Sequence, residues 1–511
     1  MATAPSVYNI GTGLPFVDAL AAGLIDRWGA ADEPLALARA LVLLPNRRAC
    51  RALRDAFLRR AGGRPLALPR LLPVGDVDED ELALLEAAGP GSEADAEVPP
   101  AIPPLRRRML LARQVQQWSG DAVGADQAVR LAAALARLID QVEIERLSFA
   151  ELASLVPDEF ARHWQLTLEF LAIVTEEWPK ILAEEGALDP AERRNRLLAW
   201  QARAWTARPP GHPVIAAGST GSVPATAELL AVVARLPEGA LVLPGLDTDL
   251  DDESWAALGP SHPQFGLRQL LASLGVARSV VAPWPAPGFD FAPAAARRRL
   301  VAEAMRPAET SDQWAGLAGL DAAALAGLGR IDCPTSHEEA GVIALILREA
   351  LEGGDGRTAA LVTPDRDLAR RVAAELGRWQ VEIDDSAGVP LADTSPGAFL
   401  RLTGRAVAEA AAPVPLLAAL KHPLATGGLA PGVLRSRVRA LERALLRGPR
   451  PAPGFAALAD GLERRQEAVP AALVAWTEEL AALARPFEAA MTGSPRPLSE
   501  LLGLHVAFAE A

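Results

Sequence analysis

The chain has 511 residues, half of them hydrophobic and 23% charged, which is enough apolar material for several cores and roughly three or four domains. A formal charge of -13 argues against nonspecific nucleic-acid binding by the whole surface but leaves room for a local basic groove. The two cysteines, Cys50 and Cys333, are far apart with no CxxC spacing, which excludes a disulfide framework or a zinc or iron–sulfur cage and suits a reducing cytoplasm.

In chain order, "VYNI" at 7–10, a helix from about Pro15 to Trp28, "ALVLLP" at 40–45, a helix at about 46–61 and "LPRLLPVGD" alternate as βαβα, the pattern of a parallel sheet covered by helices. Residues 86–104, rich in Pro, Gly, Ala and acid, predict an exposed linker. From Leu105 to about Arg208 apolar residues recur at three and four, which predicts helix throughout. Strand character returns in "PVIAAG" (213–218) and "ALVLPGLD" (240–247), with a helix at about 224–236 between them, so one sheet is expected to carry an inserted helical domain. The uncharged run from Pro209 to Ala227 is broken by Pro and Gly and is no membrane span. No secretory signal opens the chain.

A second αβ block is expected at 329–334, 336–352, 358–364, 365–378 and 381–385, after a Pro- and Ala-rich segment. Beyond Pro396 the pattern is mostly helical. It ends on "LSELLGLHVAFAEA" inside an amphipathic run, as a truncated chain would.

Four stretches carry chemistry. Gly11, Thr12 and Gly13 follow the first strand and could offer N–H groups to an anion at a helix start. A phosphate-binding loop also needs Lys and Ser/Thr, whereas Leu14, Pro15 and Phe16 stand here. The only lysines, Lys180 and Lys421, are not in glycine-rich loops, so ATP hydrolysis is not expected. Second, "LPNRRACRALRDAFLRR" (44–60) places Arg47, Arg48, Arg51 and Arg54 on a helix capped by Asn46, with Cys50, Leu53 and Phe57 facing a core. Both a solvated face and a phosphate-backbone contact fit these arginines. Third, Asp247, Asp249, Asp251 and Asp252 follow a later strand, read as a structural loop with a metal site as the lesser alternative. Fourth, Arg435, Arg439, Arg443 and Arg447 form an i, i+4 stripe, a solvated face by default and a DNA contact second. HExxH, G-x-S-x-G and nuclease signatures are all missing, and Asp365 reads as a helix cap, so no catalytic or metal-ligating residue is expected.

In order, "NIGTGLPFVDALAAGL", "ALVLLPNRRACRALRDAFLRR", "LLPVGDVDEDEL", "IAAGSTGSVPATAELLAVVARLPEGALVLPGLD", "HPQFGLRQLL", "LVTPDRDLARRVAAELGRW" and "LLAALKHPLATGG" resemble the N-terminal half of the AddB family, partner of AddA in the bacterial AddAB helicase–nuclease. The resemblance implies an α/β fold of degenerate P-loop NTPase domains, RecA-like and superfamily-1 helicase-like, with large helical insertions. The layout would be a first RecA-like domain at 1–100 plus 209–285, an inserted helical domain at 101–208, a linker at 286–328, the start of a second RecA-like domain at 329–396 and a helical insertion at 397–511. It implies a cytoplasmic subunit for double-strand break repair, an AddA-like partner, and DNA, single-stranded or with double-stranded ends, as ligand. The segment from Arg47 to Arg60 resembles the motif that touches single-stranded DNA in such helicases. The family's nuclease and four-cysteine iron–sulfur cluster belong to a C-terminal half whose acids and cysteines this sequence lacks. No cofactor is therefore expected here, and the missing lysine weighs against ATP and Mg²⁺. The alternatives are an active ATP-dependent helicase and a small-molecule kinase-like P-loop protein.

Overall fold

A computed structural model describes residues 4–29, 35–74, 98–148, 170–289, 295–317, 319, 321–354, 357–465 and 469–511. Most of the linker expected at 86–104, and residues 149–169 of the helical stretch expected from Leu105 to about Arg208, lie outside them. The chain divides into two compact units, Met1–Gly329 and Arg330–Ala511.

The first unit is α/β, built on one six-stranded parallel sheet. Its strands are β1 (Val7–Ile10), β2 (Leu41–Leu44), β3 (Arg70–Pro73), β4 (Val214–Ala217), β5 (Gly239–Pro244) and β6 (Ala282–Pro283). The order is β3-β2-β4-β5-β1-β6, with Val7 beside Leu241 and Leu41 beside Val214. The strands are apolar at nearly every position because both faces are covered. Alternate residues serve opposite cores: Leu41, Leu43, Val214, Ala216, Leu241 and Leu243 face one, and Val42, Leu44, Ile215, Ala217, Ala240 and Val242 the other. Burying each larger side chain contributes about 1.5–3 kcal/mol.

Helices α1 (Phe16–Trp28), α2 (Ala36–Arg39) and α3 (Arg47–Ala61) supply one cover, with Leu20, Leu24, Leu37, Leu53 and Phe57 buried. Between β3 and β4 the chain leaves the sheet for α4 (Pro104–Ser119), α5 (Ala125–Ile144), a π turn (Ile173–Glu177), α6 (Trp178–Glu185) and α7 (Pro190–Ala207). Alanines 112, 128 and 132 let these helices approach around Leu111, Leu135 and Trp178. The bridge Ala101↔Leu188 ties the segment before α4 to the segment before α7. The second cover is α8 (Pro224–Val233) and α10 (Phe265–Leu274), flanking the short α9 (Asp252–Ala257), with Leu198 and Trp205 of α7 joining that core.

Residues 286–328 are not a free linker. They form α11 (Ala295–Ala304) and 3-10 turns at Ala308–Gly316 and Ala322–Leu325. The Arg306 side chain, 6% exposed, pairs with Asp251 and Glu303, and Thr310 Oγ1 lies 2.7 Å from Ser254 Oγ. A Pro- and Ala-rich stretch reads as a linker because the residues that hold it lie far away in sequence.

In the second unit α12 (Ser336–Glu352) packs on α13 (Arg366–Gly377) through Ala340, Ala344, Val372 and Leu376. The strands expected at 329–334, 358–364 and 381–385 are not formed among the described residues. Ile331, Val362 and Ile383 are 60%, 93% and 46% exposed, so the segments lack the neighbours that a ladder and a buried face require. A larger core unites α14 (Ser395–Ala408), α15 (Pro413–Leu420), α16 (Pro431–Leu441), α17 (Ala456–Glu463) and α18 (Ala471–Thr492), with α19 (Leu498–Glu510) laid against it through Leu504 and Phe508. Among the described residues no helix is long and apolar enough to cross a membrane.

Candidate functional site

In an open parallel sheet the ligand crevice opens at the carboxyl ends of the strands, where neighbouring strands send their helices to opposite faces. Here β1 leads into α1 on one face and its neighbour β5 leads into α9 and α10 on the other. Gly11, Thr12 and Gly13 stand at that point, and Gly13 takes the positive φ of 93° that the turn into α1 requires. The rest of the crevice is packed. A Cβ on Gly218 (φ 78°) would meet the Phe16 ring at 3.2 Å and Pro45 Cδ at 3.5 Å. One on Gly245 (φ 66°) would meet Thr12 Cγ2 at 2.8 Å. An aromatic ring and a methyl group thus fill the ground beside the turn. The lysines are engaged elsewhere: Lys180 bonds Glu177 at 2.8 Å and Lys421 bonds Glu442 at 2.6 Å.

The loop after β5 is fixed by side chains. Asn9, 8% exposed, donates through Nδ2 to the Leu246 carbonyl (3.1 Å) and accepts from the Leu246 N–H (2.9 Å). Gln264 donates to the Gly245 carbonyl and accepts from the Asp247 N–H. Each acid in the loop has a partner. Asp247 Oδ1 accepts from the N–H groups of Asp249 and Leu250, Asp249 pairs with Arg298, and Asp252 pairs with Arg278 at 2.7 Å. Asp251 caps α9, accepting from Ser254 N (2.8 Å) and Ser254 Oγ (2.9 Å). Desolvation pushes its carboxyl up, but the bonds from Ser254 and Arg306 more than offset this and hold it down at about 2. These contacts account for the acids as loop architecture. Among the described residues no group of three or more His, Cys, Asp or Glu could hold a metal ion.

Beside this edge, α3 begins directly beyond β2. Asn46 caps it, its Oδ1 accepting from the Ala49 N–H at 2.8 Å, and Gly62 in the left-handed region ends it. Cys50, Leu53 and Phe57 are buried, so Arg47, Arg48, Arg51 and Arg54 are turned outward and exposed. At the other end Arg59 grips Asp18 of α1 (2.8 and 3.0 Å), and Arg60 donates to the Pro287 carbonyl and lies over the Phe289 ring. The helix macrodipole separates the two groups. Arg59 and Arg60 occupy the last turn, where cations are favoured, whereas Arg47 and Arg48 occupy a first turn without acid, where each cation costs about 0.3–1 kcal/mol. Arg51 and Arg54 make no side-chain hydrogen bond or ion pair among the described residues.

In the second unit Arg435 and Arg439 are exposed on α16, with Arg443 exposed just beyond. The expected stripe stops at Arg443. A π turn, Glu442–Leu446, adds a residue to the helix, and Arg447 turns back onto Glu442, which it shares with Lys421.

The sequence reading did not single out a charged cluster inside the helical excursion: Arg107 of α4, Asp140 and Glu143 of α5, and Asp189 before α7. Arg107 Nε lies 2.6 Å from Asp189 Oδ1 and its Nη1 lies 2.9 Å from Asp140 Oδ1, with the Arg107 and Asp189 side chains 7% and 1% exposed. No local motif announces it, because its members come from three separate stretches. No protein-family model matches the chain, and a search of curated proteins finds no match.

Proposed function

We propose that this chain is a helicase-like DNA-binding subunit of a double-strand break repair complex of the AddB kind, acting beside an AddA-like helicase–nuclease and without ATP hydrolysis of its own. The observation that carries the proposal is the amino end of α3. Arg47 and Arg48 sit where the helix dipole disfavours them, and Arg51 and Arg54 are exposed and uncommitted among the described residues. An anionic ligand at the carboxyl edge of the sheet would be stabilised by cations so placed. A DNA backbone supplies phosphates at the needed spacing without requiring base contacts. Arg435 and Arg439 are a second candidate contact, argued on exposure alone.

The packed crevice supports a motorless subunit. Phe16 and the Thr12 methyl lie against Gly218 and Gly245, and no lysine follows Gly11–Gly13. The test is ATP turnover by the purified chain, with single-stranded DNA and an AddA-like partner added separately. Binding of DNA without turnover is expected; robust turnover by the chain alone would replace the proposal with an active helicase.

A further inference from the structure

Two segments of the second unit, 359–363 and 381–385, flank a groove of about 530 Å³ whose helical side is lined by Leu347 and Leu351 of α12 and Val372 and Leu376 of α13. Leu361 and Val381 pack on the α12–α13 core, whereas Val362 is 93% exposed. Neighbouring side chains thus alternate in and out, as they do along a strand. Their main chain is nevertheless idle. Among the described residues no hydrogen bond reaches the backbone of 359–362, of Glu382 or of Ile383. A row of backbone N–H and C=O groups that meets only water is a template for pairing with another chain, and the matching chain must be extended to present its own groups at the same spacing. At about 3.3 Å per residue, five residues of strand cover about 17 Å of either segment.

The charges at the groove narrow the choice of occupant. Glu382, Asp384 and Asp385 are among the lining residues, and the one cation among them, Arg366, is drawn to Asp385. The rim is therefore acidic. A second copy docked through this same face would set the three acids against their own counterparts, because a two-fold contact pairs a patch with itself.

We propose that this groove accepts a β-strand from a partner protein, one with alternating apolar side chains and with lysine or arginine at its flanks. The strand's main chain pairs with 359–362, Glu382 and Ile383. Its inward side chains cover Leu347 and Leu351, and its flanking cations face the three acids. Backbone bonds supply affinity whatever the sequence, and the apolar lining and acidic rim supply the selection.

The probe is a fluorescein-labelled peptide, Lys-Arg-Val-Thr-Val-Thr-Val-Arg-Lys, titrated against the full chain. Saturable binding is expected, with slowed hydrogen exchange in 358–364 and 381–385. Replacing the central valine of the peptide by proline keeps the charge and removes a ladder donor, so binding should weaken by about five- to tenfold. Glu382→Lys, at an exposed position, should weaken binding of the original peptide by about two- to fivefold. The absence of saturable binding up to about 1 mM peptide, equal affinity for the two peptides, unchanged affinity in E382K, or unaltered exchange in both segments would each overturn the proposal. Slowed exchange that follows protein concentration without peptide would give the face to a second copy and overturn it as well.

Discussion

Replacing Arg51 and Arg54 together by glutamine isolates the DNA-binding role assigned to α3, because neither side chain has a hydrogen-bonding or ionic partner among the described residues. The double substitution therefore removes two charges without undoing a recorded contact. Each phosphate neutralised on a single strand contributes about 0.7 to the slope of log affinity against log salt, so the slope should fall by about 1.4. Raising salt fourfold, from about 50 to about 200 mM, should then cost the wild type about sevenfold more affinity than the variant. Fluorescence anisotropy with a labelled oligothymidine across a salt series measures both lines. Arg59→Gln is the control, since Arg59 is held by Asp18 at 2.8 Å; it should leave the slope alone and cost at most about 1 kcal/mol of stability. Parallel lines for wild type and the double variant would refute the assignment of α3 to the interface.

Three further outcomes test the architecture. Gly218→Ala should destabilise by about 1–2 kcal/mol from its positive φ alone, with a further cost from the Phe16 ring that Phe16→Leu partly restores; additive urea-melt values would contradict the packed crevice. Asn9→Leu keeps the bulk but leaves the Leu246 N–H and carbonyl without their partner, costing about 1–3 kcal/mol, and an unchanged denaturant midpoint would show that this tie does not hold the loop. For Asp251, held at about 2 against an ordinary 3.8, the stabilisation is present above pH 3.8 and lost as pH falls toward 2. Acid titration of Asp251→Asn should therefore be shallower than wild type in that window, and superimposable curves would exclude the contribution.

Five strands and the amphipathic helices between them were legible because burial on both faces writes itself as uninterrupted apolar runs, as in "LVLL" and "VIAA". The sixth strand was not: Ala282 and Pro283 are exposed, and the pair is short. The arginines of α3 were legible as a group, since their spacing and the Asn46 cap are local. Their division into Arg59 and Arg60, which bind the fold together, and the outward four was not, because Asp18 and Pro287 lie far away in sequence. The same limit hid the ties from Arg306 to Asp251 and from Arg107 to Asp189. Periodicity also overreached. It extended the Arg435 stripe across a π turn and drew strands at 358–364 and 381–385, where apolar residues have no ladder to join.

The register of β1 has a consequence for synthesis. Val7 pairs with Leu241 and Tyr8 with Ala282, so β1, once synthesised, has no neighbour in the sheet until β5 emerges. At about 5–20 residues per second that interval is on the order of ten to fifty seconds. During it, β2 can join β3 early, while the bridge between Ala101 and Leu188 closes most of the helical excursion and so shortens the effective loop that separates β3 from β4. The "VYNI" strand is consequently open to chaperones or to misassociation during translation, and the excursion sets how soon that exposure ends.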